Sequence, residues 1–307
     1  MAEEEAEEEL VESIAEATVK ALKVAETRLP DDVKESLESA RESESNERAR
    51  MILDAILENV RIAEEKGLPM CQDTGLITVI AEVGRRFPIR LAETIQEGVK
   101  RGVQRATKEV PLRPNVVHPI TRENTGDNTG RRAPVIRFVP TKGEELRLHF
   151  MPKGFGSENS SAVTRLLPTE GLDGIWDFVL ETVKKAGGMP CPPIVLGVGV
   201  GGTIEEAAFL AKLALFRPLN VRNPDPALAD LEDRLLEAVN ELGIGPMGLG
   251  GDTTALAVNI EMAYTHTAGL PVAVNIQCWA NRRATAIIYP DGFYEIVQDD
   301  YPRGEVE

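Results

Sequence analysis

The apolar residues of this chain change their period near residue 68. Before that point they recur as helix faces do. Leu10, Ile14, Ala17, Ala21 and Val24 step by four, three, four and three, which places them on one stripe of a 3.6-residue helix. Pro30 stops the pattern. A second stripe runs through Ala49, Ile52, Ile56, Val60 and Ala63, then closes at Gly67 with Pro69 beyond, an ordinary helix stop. Beyond it, β-branched runs alternate with helical patterns. Runs at 76–84, 133–140, 145–152, 192–200, 271–279 and 284–290 read as strands. Stretches at 91–108, 171–186, 203–216, 227–241 and 254–264 read as helices.

This order predicts a mixed α/β fold, with a helical N-terminal layer over 1–67, an α/β core over 68–298 and a loose polar tail over 299–307. The runs at 133–140 and 145–152 are expected to pair through a turn at Lys142-Gly143. Thr203 with Glu206 three residues later fits a capping box. At 307 residues the chain can form a single domain, because about three quarters of the extended-chain surface is hidden at that size. Sheet order is not readable from these patterns.

Composition narrows the function classes. Hydrophobic residues make up 42% and charged residues 27%, so the chain is not disordered throughout. The 34 basic against 50 acidic residues leave a net charge of −16, which repels phosphate backbones and anionic membrane surfaces. Nucleic acid and membrane are therefore not expected partners. Aromatic content of 5% argues against stacking platforms for single strands. The sequence holds no run of 18 apolar residues, so no transmembrane helix is expected. The opening MAEEEAEEEL has neither the basic nor the apolar region of a signal peptide. Three scattered cysteines do not make a disulfide framework. A reducing cytoplasm is the expected location.

Two glycine runs echo one another, Gly199-Val-Gly-Gly-Thr203 and Gly248-Leu-Gly-Gly-Asp252. Each stands before an expected helix, where backbone N–H groups can approach an anion. Tight loop-to-helix turns use glycine in the same way. No P-loop is present, and no acidic residue follows the first run at the ribose-binding distance. A nicotinamide cofactor is not expected.

The cysteines have unusual neighbourhoods. Cys71 lies in PMCQDTG, Cys191 in GGMPCPP and Cys278 in NIQCWAN. None is close enough in sequence to another for a C-x-x-C zinc pair. Buried cysteines usually serve as small apolar residues, yet two of these stand among prolines and glycines in apparent loops. Three thiolates also suit a cubane iron–sulfur cluster with one iron left open, and an open metal position is what a Lewis acid needs. Of the three histidines, His149 alternates with Leu148 and Phe150 as strand filler, and His118 precedes Pro119 in a loop. His266 lies 12 residues before Cys278. The loop NTGDNTG at 124–130 and the segment KGFGSEN at 153–159 offer amide, hydroxyl and ammonium donors, and Arg113 could pair with a carboxylate.

Together these segments resemble the α subunit, or N-terminal half, of the class I iron–sulfur-dependent fumarate hydratases and the related L(+)-tartrate dehydratases. PMCQDTG, NTGDNTG, MPKGFGSENSS, GMPCPPIVLGVGVGGT and GLGGDTTALAVNIEMAYTHTAGLPVAVNIQCWANRRA carry the resemblance, from about residue 50 to residue 290.

The resemblance implies that Cys71, Cys191 and Cys278 bind a [4Fe-4S] cluster, which accounts for every cysteine. It makes Asp73 the proton donor to the departing hydroxyl, with the active-site His266 near it. It sets Gln72, Arg113, Lys153 and Gly154 against the substrate. The implied reaction is the reversible hydration of fumarate to (S)-malate, a step of the tricarboxylic acid cycle. L(+)-tartrate and methyl-substituted dicarboxylates are alternative substrates. Long family members continue well past the equivalent of Glu307 and draw a threonine base and further cations from that part. A separate β subunit is therefore expected, in an oligomer such as α2β2. Readings from other classes are a non-catalytic metal-binding or redox-sensing subunit, with zinc on three thiolates and His266, and an anion-binding structural protein built on the glycine loops.

Overall fold

The first helix forms because its apolar stripe has something to cover. In the computed structural model, which describes residues 2–87 and 92–302, α1 (Ala2–Thr27) buries Ile14, Ala17 and Ala21 completely. After it come α2 (Asp31–Ser43), α3 (Glu47–Lys66), β1 (Leu76–Val83), α4 (Ala92–Glu109), β2 (Val135–Pro140) and β3 (Leu146–Lys153). The chain continues through α5 (Phe155–Glu158), β4 (Ala162–Leu166), α6 (Gly171–Ala186), β5 (Ile194–Gly201), α7 (Ile204–Ala214) and α8 (Pro226–Asn240). It closes with β6 (Ala255–Ala263), β7 (Leu270–Gln277), β8 (Ala284–Ile288) and β9 (Tyr294–Val297). The mixed α/β class expected from the sequence is what forms.

The chain divides into two compact units. One comprises Met1–Pro30, Val60–Lys153 and Arg282–Glu307; the other comprises Asp31–Asn59 and Gly154–Asn281. The first unit holds a sheet of order β2-β1-β3-β8-β9. Its core joins Ile14 and Leu22 of α1 and Val99 and Val103 of α4 to Val79, Leu148, Phe150 and Ala286 of the strands. Burying each such aliphatic side chain stabilises the unit by about 1.5–3 kcal/mol before entropy is counted. The second unit holds a sheet of order β4-β7-β5-β6. On one face Val179 and Val183 of α6 and Leu235 of α8 pack over Leu196, Val198, Ile260 and Val274.

On its other face β5 lies against α7. A Cβ added at Gly197 would stand 2.0 Å from the Ala211 carbonyl oxygen, and one at Gly199 would stand 2.0 Å from that of Ala207. Only glycine permits that approach. These glycines of the GVGVGG run therefore serve helix–sheet packing.

Two expected elements differ. The expected helix at 254–264 is instead the strand β6 (Ala255–Ala263), parallel to β5. The runs at 133–140 and 145–152 are strands but do not pair with each other, because β1 lies between them, parallel to β2 and antiparallel to β3. Thr203 does stand at the N-terminus of α7, but its side chain makes no cap bond there. Leu91, the expected start of α4, and residues 303–307 of the expected loose tail lie outside the described residues. The tail's first part is pinned: Arg147 donates to the Asp300 carboxylate at 2.6 Å, and the Thr285 hydroxyl donates to the Asp300 carbonyl at 3.1 Å.

Candidate active site

In the first unit the segment Met70–Gly75 is a turn that feeds β1, and it carries Cys71, Gln72 and Asp73. The Asp73 N–H donates to the Cys71 sulfur at 3.4 Å. Such a bond stabilises negative charge on sulfur. The Asp73 carboxylate folds back on its own turn, with Oδ1 accepting the Gly75 N–H at 2.8 Å and the Asn115 side-chain amide at 2.8 Å. A proton on Oδ1 would oppose two donors, so protonation is directed to Oδ2.

Asn115 is itself held. Its N–H donates to Asn128 Oδ1 at 2.6 Å, and the Asn128 amide donates to the Arg113 carbonyl at 3.1 Å and to Thr107 Oγ1 at 3.2 Å. The NTGDNTG loop thus braces the acid from behind. Arg113 has an exposed side chain two residues from Asn115. Lys153 pairs in register with Leu76, the first residue of β1, and is 1% exposed. It therefore stands at the end of the sheet where the Cys71 turn begins. Gln72 is exposed.

Beneath this turn lies a buried ion pair that the sequence did not announce. Arg282 Nη1 donates to Glu26 Oε2 at 2.5 Å, and both side chains are fully enclosed. Burial pushes the Glu26 carboxyl up to about 7, although Arg282 pulls it the other way. Glu26 Oε1 receives no hydrogen bond among the described residues, which leaves the charge poorly solvated and accounts for that rise. Charged residues late in an amphipathic helix or in an NRRA run carry no sequence signal for this pairing.

In the second unit Cys191 and Cys278 belong to one end of the sheet. The Trp279 N–H donates to the Cys191 carbonyl at 3.2 Å, which joins the two loops. Cys191 is exposed and holds a φ of +56°, a left-handed conformation that costs a side chain about 1–2 kcal/mol. Gln277 Oε1 accepts the Cys278 N–H at 3.2 Å and the Ser157 hydroxyl at 3.2 Å. The same hydroxyl donates to the Gly154 carbonyl at 3.0 Å. Gly154 thus joins this end, with ordinary extended angles of φ −64° and ψ 146°. The chain path alone does not demand glycine there.

His266 is elsewhere. It lies in the turn before β7, whereas Cys278 follows that strand. Eight residues of strand separate the two ends by about 23 Å at ~3.3 Å per residue. Its turn is tied to the far end of β5 by the Thr265 hydroxyl donating to the Gly202 carbonyl at 2.9 Å. His266 Nδ1 accepts the Ala268 N–H at 3.1 Å, which assigns the proton of the neutral ring to Nε2. The exposed His118 likewise accepts the N–H groups of Ile120 and Thr121. His149 is enclosed between Thr285 and Glu82.

The second glycine loop is already occupied by the chain itself. Glu44, between α2 and α3, is 1% exposed. Its carboxylate accepts the N–H groups of Asn46 at 3.1 Å, of Asp252 at 2.9 and 3.0 Å, and of Thr253 at 3.1 Å. The Asp252 carboxylate in turn accepts the Ser45 N–H at 2.8 Å. A cleft of about 470 Å³ in the first unit is lined by Lys100, Arg132 and Arg137, and none of the expected site residues lines it.

Three free cysteines offer soft donors. Among the described residues no group of three or more His, Cys, Asp or Glu is set to chelate one metal ion. A cubane cluster makes no such demand, since each iron takes its own thiolate. Beside Cys278 the fully buried Gln277 Nε2 has no partner among the described residues. A donor left so is completed by an acceptor such as sulfide or thiolate sulfur. The donor set and this orphaned amide fit an iron–sulfur group.

Comparison with known proteins agrees with the motifs. A family model described as fumarate hydratase (fumerase) matches residues 15–287. A Methanocaldococcus jannaschii protein provisionally named L(+)-tartrate dehydratase subunit alpha is 51% identical over 273 residues, 88% of this chain and 96% of that protein. The L(+)-tartrate dehydratase subunit alpha of Escherichia coli K12 is 36% identical over 291 residues, 94% of this chain and 95% of that protein.

Proposed function

The chain belongs to the fumarate hydratase (fumerase) family, and on that premise we propose that it is the α subunit of a dicarboxylate hydro-lyase that works with a separate β subunit. The observation that carries the reading is the Cys71–Asp73 turn. It holds a cysteine sulfur and a carboxylic side chain two residues apart, with the carboxylate's orientation fixed by Asn115 and Gly75. The relatives named as α subunits are matched over nearly their whole length, which supports a partner chain for the remainder of the site.

Cys71, Cys191 and Cys278 would hold a [4Fe-4S] cluster, whose open iron supplies Lewis-acid chemistry to a departing hydroxyl. Asp73 donates a proton from Oδ2 to that hydroxyl in dehydration and takes it back in hydration. The exposed Arg113 and Gln72 and the enclosed Lys153 supply donors for the substrate carboxylates and for charge that develops on them. Gly154 leaves room for close approach.

His266 stands some 23 Å along β7 from the cysteine end of its own sheet. We propose that it serves a site in an oligomer such as α2β2, in which one copy presents its Nε2–H to another. No helix among the described residues is long and apolar enough to cross a membrane; the proposed location is the cytoplasm.

Fumarate and (S)-malate are the proposed substrate pair, by the family's description. A second reading has a specific basis: the relatives above are named for L(+)-tartrate. The test is anaerobic assay of the chain with and without its β subunit on fumarate, (S)-malate and L(+)-tartrate. The reading expects turnover only with β, and loss of turnover in Cys71→Ser. Absence of turnover on all three acids with β present and the cluster loaded would overturn it.

A further inference from the structure

The Glu26–Arg282 pair grips the Cys71 turn at both ends. At the first end the Met70 N–H donates to the Glu26 carbonyl at 2.9 Å. At the other end Arg282 Nη2 donates to the Asp73 carbonyl at 2.9 Å. Between these points runs Met70-Cys-Gln-Asp73 and nothing else. The two anchors are one object, because Arg282 Nη1 is bound to the Glu26 carboxylate. The Arg282 fork thus spans a helix side chain and a turn carbonyl, which is what a planar guanidinium does and an ammonium does not.

Stability alone does not explain the pair. Both side chains are at most 1% exposed, one carboxylate oxygen is left without a donor, and a well-packed apolar pair would serve such a core as well or better. What the pair does that apolar residues could not is direct a hydrogen bond at the Asp73 main chain.

We propose that Glu26 and Arg282 are positioning residues that set the path of Cys71–Asp73, and so the placement of both the thiolate and the acid. The proposal rests on the function proposed above only for its catalytic consequence; its structural part stands in the chain without cluster or β subunit.

The test uses Arg282→Met, Arg282→Lys and Glu26→Gln in the full chain. Hydrogen exchange by mass spectrometry is read first on the cluster-free chain. In Arg282→Met the peptide covering residues 70–75 is expected to exchange about tenfold faster or more, with β5, β6 and β7 unchanged. Arg282→Lys, which can serve only one of its two acceptors well, should fall between wild type and Arg282→Met. With β subunit and loaded cluster, kcat should fall on the order of a hundredfold, the scale of an ångström-sized misplacement, while KM moves about twofold or less.

Unchanged exchange at 70–75 in folded Arg282→Met, or unchanged kcat, overturns the proposal. Global unfolding of all three variants also overturns it in favour of a plain structural role. If the wild type proves inactive on every dicarboxylate while the exchange result holds, the positioning stands and the proposed function fails.

Discussion

Replacing Glu44 with alanine should unseat the Gly250-Gly251 loop and destabilise the second unit by about 1.5–3 kcal/mol. The figure comes from the donors left behind. Three N–H groups lose their acceptor: Asn46, Asp252 and Thr253. Asn46 is exposed, so water replaces its bond. Asp252 is exposed as well, and Thr253 is buried. The one charge-assisted bond lost at a buried residue, at about 1.5–3 kcal/mol, gives the range. At ~2–4 °C per kcal/mol for a unit of this size, the melting transition should fall by about 3–12 °C. Differential scanning calorimetry reads it. Glu44→Gln, which keeps one acceptor oxygen, should lose about half as much. Added acetate should raise the transition of Glu44→Ala and leave the wild type unmoved, because only the variant has a vacant anion seat. A loss under about 1 kcal/mol, or equal acetate effects on both proteins, would refute the reasoning and return the loop to the pool of external anion sites.

Other expectations concern the acid, the close packing and the buried carboxyl. Asp73→Asn should keep the cluster's spectrum and abolish turnover with β; an unchanged rate removes Asp73 from the mechanism. Gly199→Ala should be badly destabilised, by about 3 kcal/mol or more, since its Cβ would sit 2.0 Å from the Ala207 carbonyl oxygen; a soluble variant with wild-type melting would contradict that contact. Glu26 is raised from 4.5 to about 7, so the folded chain keeps a proton that the unfolded chain releases between those values. Its contribution is present below pH ~4.5 and is lost as pH rises through about 7, roughly 3 kcal/mol in all. Glu26→Gln should flatten that stretch of a stability-against-pH curve, and a slope equal to wild type would show that Glu26 does not titrate there.

Legibility in the sequence followed the range of the interactions involved. α1 and α6 were readable because each apolar stripe faces the core of its own unit and periodicity is a local property. β6 was not: Ala255–Ala263 is buried along most of its length with no strict alternation, and its alanine, leucine, methionine and glutamate favour helix. Parallel pairing beside β5 overrides that preference. The insertion of β1 between β2 and β3 is a long-range choice that two neighbouring runs cannot reveal. At the candidate site, Cys71, Gln72 and Asp73 stand out in the sequence because one short motif carries them. Glu26, Glu44 and Arg282 were not, since a buried charge in a helix or loop reads as a solvated one until its partner is known. The glycine runs were legible as loops, but their uses differ. Gly199 admits a helix backbone, and the loop at Gly251 receives a carboxylate from the chain itself.

The account turns on whether Cys71, Cys191 and Cys278 together hold a cluster with one open iron. Iron and acid-labile sulfide should be counted on anaerobically purified or reconstituted chain, with EPR of the reduced sample before and after addition of fumarate, (S)-malate or L(+)-tartrate. The account predicts about four irons and four sulfides per chain, loss of the signal in any of the three Cys→Ser variants, and a shift on adding the substrate acid. Stoichiometric zinc, no metal, or a cluster signal that no dicarboxylate moves would contradict it.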